Sequence, residues 1–210
     1  MNLINSLILL GSMGSVAAGA YLTQGYWMPS KEEKSKSIRD SLEGKKLISS
    51  ALSGTPLVKQ WEEEFESDKA KIEALLGQGT LDKVKGGVAL STWCSNQMSL
   101  DSEQNKGVLE NVKSYCLVRS VSNQLKRKSK TLLGTSHTTE WKATYDKRKQ
   151  ASEKRSDVGL TGESNWDEGN DLVKIKVWCS GNSEQEFLVS EQGTSDLYTK
   201  VLKWCTKEGE

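Results

Sequence analysis

Four cysteines and one histidine are the residues of this 210-residue chain best suited to chemistry. Cys94 and Cys116 are separated by 22 positions, and Cys179 and Cys205 by 26. A zinc site normally draws its ligands in pairs two to four residues apart, and the chain has no C-x-x-C and only His137 to add. A site of four thiolates would therefore lack the usual spacing. Disulfides are a second option. Four buried free thiols, packed as small hydrophobes beside tryptophans, are a third. His137 lies among Thr135, Ser136, Thr138 and Thr139, and catalytic use would need a nucleophile or carboxylate beside it in space, which nothing in the sequence shows. It reads as a solvated residue ahead of a helix rather than a general base. No Walker A, HExxH, GxSxG, EF-hand or N-x-S/T pattern occurs. Gly11-x-x-Gly14 and Gly159-x-x-Gly162 follow no strand, so neither is a nucleotide fingerprint. No catalytic residue, metal or cofactor is assigned, and a non-enzymatic role is expected.

The cysteines belong to a pattern that occurs twice. The first copy is Gly54, Trp61, Phe65, Trp93-Cys94 and Tyr115-Cys116; the second is Gly134, Trp141, Tyr145, Trp178-Cys179 and Trp204-Cys205. The offset is 80 for the first three members, 85 for the Trp-Cys pair and 89 for the last pair. A tandem duplication with two small insertions produces such steps. It favours one bond made twice, Cys94–Cys116 and Cys179–Cys205, each stapling a helical hairpin. Loop closure of this size is worth about 3.5 kcal/mol in the chain-entropy model. That pairing requires a body outside a reducing compartment; inside one, the free-thiol option stands. The repeated tryptophans read as core. Trp166 lies outside the pattern, in a polar loop over residues 157–169, and is the candidate for an exposed recognition residue.

Charge is balanced, with 29 basic and 28 acidic side chains, but unevenly placed. Residues 31–118 carry net −1, residues 119–155 net +8 and residues 156–210 net −6. Lys126, Arg127, Lys128 and Lys130, with Lys147, Arg148 and Lys149, form basic runs suited to sulfated or sialylated glycans, anionic lipid or nucleic acid. Aromatics are not interleaved with them, so a single-strand stacking platform is not supported and no nucleic-acid partner is expected. The bland alternative is a solvated linker and helix face.

These residues have to be positioned by elements whose pattern is mostly helical: Glu, Lys, Leu and Ser are abundant, and Pro29 and Pro56 are the only prolines. Residues 1–30 carry no charged side chain. The apolar run over 3–22 is just long enough to span a hydrocarbon core, with Tyr26 and Trp27 at the interface. Residues 1–28 are expected to be a transmembrane anchor, with Gly11, Ser15 and Gly19 on one face, or a signal peptide cut after Ala18-Gly19-Ala20. No cysteine follows the run, which excludes a lipoprotein anchor. The lysines after it place the body in the cytoplasm by the positive-inside rule, whereas paired cysteines place it outside. A polar stalk is expected over 29–53, a helical repeat over 54–118, a basic linker over 119–133 and a second repeat over 134–207. Val173, Ile175 and Val177 alternate with lysines as a strand would, but the segment is assigned helix with the rest of its unit.

A short uncharged leader rich in Gly, Ser and Ala, then a body with Trp93-Cys94, Tyr115-Cys116, Trp178-Cys179, Trp204-Cys205-Thr206 and the segment Leu197-Tyr198-Thr199-Lys200-Val201-Leu202-Lys203, resembles the large paralogous families of uncharacterised proteins in hemotropic mycoplasmas. The likeness covers most of the chain through short motifs. It implies a membrane-anchored surface protein, antigenic or in contact with host surface components, with its body extracellular. It carries over no catalytic residue. The alternative function is a cytoplasmic-facing membrane adaptor whose basic centre binds anionic lipid or nucleic acid.

Overall fold

Ser37 starts the first helix, α1 (Ile38–Ser41), with a reciprocal cap. Its hydroxyl accepts the Asp40 N–H at 3.1 Å, and the Asp40 carboxylate accepts the Ser37 N–H at 3.2 Å. A turn through Gly44, at φ +76°, leads to α2 (Ile48–Ala51). Ile38, Leu42 and Ile48 are buried in the first hydrophobic cluster. The polar stalk expected over 29–53 is thus corrected from Lys36 onward. These three apolar side chains, set among lysines, pull the segment into the core. The structure, a computed structural model, describes residues 35–207; the expected anchor or signal peptide lies outside them. Residues from Lys36 on form one compact unit, and no helix among the described residues is long and apolar enough to cross a membrane.

The first cluster is completed by α3 (Gly54–Ser67), α4 (Lys69–Leu76), α5 (Lys83–Gln97) and α6 (Lys106–Tyr115). On α3, Trp61 and Phe65 are one turn apart and both buried. Asp82 caps α5 by accepting the Lys85 N–H at 2.8 Å. The second cluster is built from α7 (Val121–Arg127), α8 (Thr138–Gln150), a 3₁₀ turn at Arg155–Val158, α9 (Glu168–Ser183) and α10 (Asp196–Cys205). The basic linker expected over 119–133 is also corrected. Val121, Leu125 and Leu133 are buried in this cluster, and Ser120 caps α7 through the Asn123 N–H.

The middle segments are helices, although their valines alternate with polar residues. The inward positions recur every fourth residue: Gly86, Leu90 and Cys94 on α5, Asp171, Ile175 and Cys179 on α9. Val173 and Val177 do not face the core at all, being 64% and 71% exposed.

One set of backbone hydrogen bonds closes each cluster. In the first, Ile38 N–H donates to Leu100, Ser102 N–H to Lys36, Ile48 N–H to Cys116, and Val118 N–H to Lys46. In the second, Val121 N–H donates to Gln185, Phe187 N–H to Arg119, Leu133 N–H to Cys205, and Lys207 N–H to Thr131. All eight lie between 2.8 and 3.0 Å.

Candidate functional site

Both cysteine pairs are bonded as the repeated spacing favoured. Cys94 on α5 joins Cys116 just past α6, with Cα atoms 5.7 Å apart; Cys179 on α9 joins Cys205 at the end of α10, with Cα atoms 5.6 Å apart. No cysteine is free. Each bond ties a helix to the segment whose carbonyl accepts Ile48 or Leu133, so the staple and the backbone closure coincide. Among the described residues, no group of three His, Cys, Asp or Glu side chains comes together to hold a metal.

The single histidine is structural rather than merely solvated. His137 Nδ1 accepts the Gly134 N–H at 2.8 Å, and the Gly134 carbonyl accepts from Trp141 Nε1 at 3.0 Å. Trp166, expected to be exposed, is not fully so. It is half-buried, stacked on Trp204 at 6.4 Å and edge-on to Tyr145 at 5.5 Å, with the Arg155 guanidinium 5.1 Å from its ring. It covers a buried cluster in which Arg155 makes a two-pronged ion pair with Asp171, and Asp171 accepts the Tyr145 hydroxyl at 2.8 Å. Burial opposes the Asp171 charge. The bonds it accepts from Arg155, the Asp167 N–H and Tyr145 outweigh that and hold its carboxyl below the ordinary 3.8.

The basic residues divide. Glu64 on α3, 1% exposed, receives both Arg119 and Arg127, the latter at 2.7 Å. Arg127 also bonds the Ser67 hydroxyl at 3.2 Å and the Ser114 carbonyl at 2.8 Å, and lies over the Tyr115 ring at 5.0 Å. Burial and the neighbouring Arg127 charge lower the Arg119 guanidinium from its usual value. This arginine pair joins the two clusters. Gln60 adds a second bond between them, donating to the Phe187 carbonyl at 3.3 Å and accepting the Val189 N–H at 3.0 Å.

Above the arginine pair is a cleft of about 620 Å³. Lys45, Lys71, Lys113 and Lys126 stand around it, all exposed, with Asp68 as the one acidic lining residue. Lys71 is 3.2 Å from Asp68 and Lys113 is 2.7 Å from Glu110; Lys45 and Lys126 make no ion pair among the described residues. Of the basic residues singled out from sequence, only Lys126 and Arg127 line this cleft. Lys128, Lys130, Lys147 and Lys149 do not, and Arg148 is buried, with Nη1 3.7 Å from Glu153. Sequence inspection missed Lys45, Lys71, Lys113 and Arg119, because three stretches of the chain, at Lys45, at Asp68 to Lys71 and at Lys113 to Arg127, supply the cleft. Its geometry suits an extended oxyanion ligand: four exposed ammonium groups around two guanidinium groups held by Glu64. No family model, curated protein or solved structure matches the chain.

Proposed function

We propose that this chain is a non-enzymatic, membrane-anchored surface protein that contacts sulfated or sialylated host glycans through the basic cleft. In this account its body is extracytoplasmic and consists of two tandem copies of one stapled helical unit. The engagement of all four cysteines in equivalent bonds carries the reading, since such bonds persist in oxidising compartments. The uncharged residues 1–30, with the apolar run over 3–22, support an anchor. The recurring backbone closures support the duplication, with copies that begin near Lys36 and Arg119. The likeness to the surface-protein families of hemotropic mycoplasmas agrees with it.

The test is binding of the oxidised protein to immobilised heparin and to unsulfated heparosan. A variant with Lys45, Lys71, Lys113 and Lys126 changed to Gln should lose at least about tenfold in heparin affinity. Changing Lys128, Lys130, Lys147 and Lys149 instead should have a smaller effect. Equal retention on both polymers, or equal loss in the two variants, contradicts a role for the cleft. Preferential binding to anionic vesicles favours the adaptor alternative.

A further inference from the structure

One place in the two clusters is packed differently. Beside the Cys179–Cys205 bond is a pocket of about 260 Å³, whose lining includes Leu132, Leu133, Trp141, Lys176, Cys179 and Ser183. Beside Cys94–Cys116 the corresponding hollow, walled by Leu47, Trp61, Cys94 and Met98, holds only about 30 Å³. The correspondence is fixed on both sides. Gln97 donates to the Trp93 carbonyl at 3.0 Å and Asn182 to the Trp178 carbonyl at 2.8 Å. Leu100 and Gln185 then accept matching backbone bonds. Between these anchors, Met98 stands where Ser183 stands. The methionine is buried and fills its hollow. The serine hydroxyl turns back to the Ser180 carbonyl at 3.3 Å and leaves the space empty. Each hollow has one basic residue in its lining, Arg39 in the small one and Lys176 in the large one. Lys176 has its ammonium 5.7 Å from the Trp141 ring and makes no ion pair among the described residues.

We propose that this pocket is a binding site for a small amphipathic carboxylate. Its aromatic or branched body packs against Trp141, Leu133 and the disulfide. Its carboxylate meets Lys176, with Thr135 and Ser180 also in the lining. The volume is just under the range of roughly 300–1,000 Å³ found for drug-sized ligands, which restricts the occupant to a small molecule. Apolar walls supply affinity, and Lys176, the one charged residue in the lining, selects the sign of the ligand's charge. This site is separate from the basic cleft, and neither assignment depends on the other.

The probe is indole-3-acetate, titrated into the ¹⁵N-labelled oxidised chain, with 3-methylindole and tryptamine as neutral and cationic counterparts. The Trp141 indole N–H resonance should shift with saturation, and indole-3-acetate should bind about tenfold more tightly than 3-methylindole. Lys176→Gln should remove that difference while keeping the 3-methylindole affinity. Ser183→Met, which supplies the side chain of the closed hollow, should abolish both, with an unchanged thermal midpoint showing that it folds. No shift at millimolar indole-3-acetate overturns the proposal, as does equal binding of the neutral probe or wild-type binding by a folded Ser183→Met. If Ser183→Met does not fold, the Lys176→Gln comparison decides alone.

Discussion

The Phe65 ring occupies the space that a side chain at Gly86 would need: a Cβ built there meets the ring at 2.3 Å. The glycine lets α5 lie directly against α3. In the second cluster the corresponding pair is Tyr145 and Asp171, joined by a hydrogen bond of 2.8 Å. The first pair closes a helix contact by shape and the second by polarity, and the Arg155–Trp166 loop of the second cluster packs over its pair.

Gly86→Ala should therefore destabilise the protein by about 1–3 kcal/mol, since Phe65 is wholly buried and has nowhere to move. Gly107→Ala, in α6 with nothing within 4 Å of the added carbon, should instead leave stability unchanged or raise it by up to about 1 kcal/mol. Urea denaturation of both variants checks the contrast.

Tyr145→Phe removes one bond to Asp171 and should cost about 1 kcal/mol. Asp171→Asn leaves the Arg155 guanidinium, 3% exposed, without its counter-charge, and should cost about 3–5 kcal/mol. The folded Asp171 carboxyl lies below its ordinary 3.8, so its contribution is complete above that value and is lost as pH falls through the lower folded one. Thermal midpoints measured from pH 6 down to pH 2 should fall, and Asp171→Asn should flatten that decline.

Glu64→Gln should cost about 3–5 kcal/mol, because two guanidinium groups lose the buried carboxylate between them. Arg127→Lys should not restore wild-type stability, since one ammonium cannot reach Glu64, Ser67 and the Ser114 carbonyl in the same planar arrangement. Calorimetry on the three proteins measures both effects.

Much of the fold was legible where the pattern was long. The spacing of Trp61 and Phe65, and of Trp141 and Tyr145, announces amphipathic helices, and the recurrence of four Trp-Cys or Tyr-Cys pairs favours the two bonds that form. The start of each cluster was not legible. Helix α1 is one turn long with Ile38 as its one apolar residue, and α7 is two turns long with Val121 and Leu125, too few for a periodicity. Ser37, three residues before Asp40, is a capping signal that could have marked the first. Val173 and Val177 gave a false strand alternation because they are exposed and lie between the inward residues Asp171, Ile175 and Cys179 of α9. Trp166 looked exposed from its polar neighbours, but Trp204, Tyr145 and Arg155 reach it from elsewhere in the chain. The basic cleft was half hidden for the same reason: Lys126 and Arg127 announce themselves, whereas Lys45, Lys71 and Lys113 join them only through the packing of the two clusters.

Each disulfide should contribute about 3–4 kcal/mol by closing loops of 22 and 26 residues. Removing either pair by Cys→Ser substitution should lower the thermal midpoint in oxidised protein and have no further effect once reductant is added.

The central claim, a stapled body outside the cytoplasm, is tested most directly by thiol labelling of intact cells with a membrane-impermeant reagent, before and after impermeant reductant, followed by mass spectrometry. The account predicts linked peptides Cys94–Cys116 and Cys179–Cys205, with label entering only after reduction and without lysis. Four free thiols, reached by label only once the cells are broken, would contradict it.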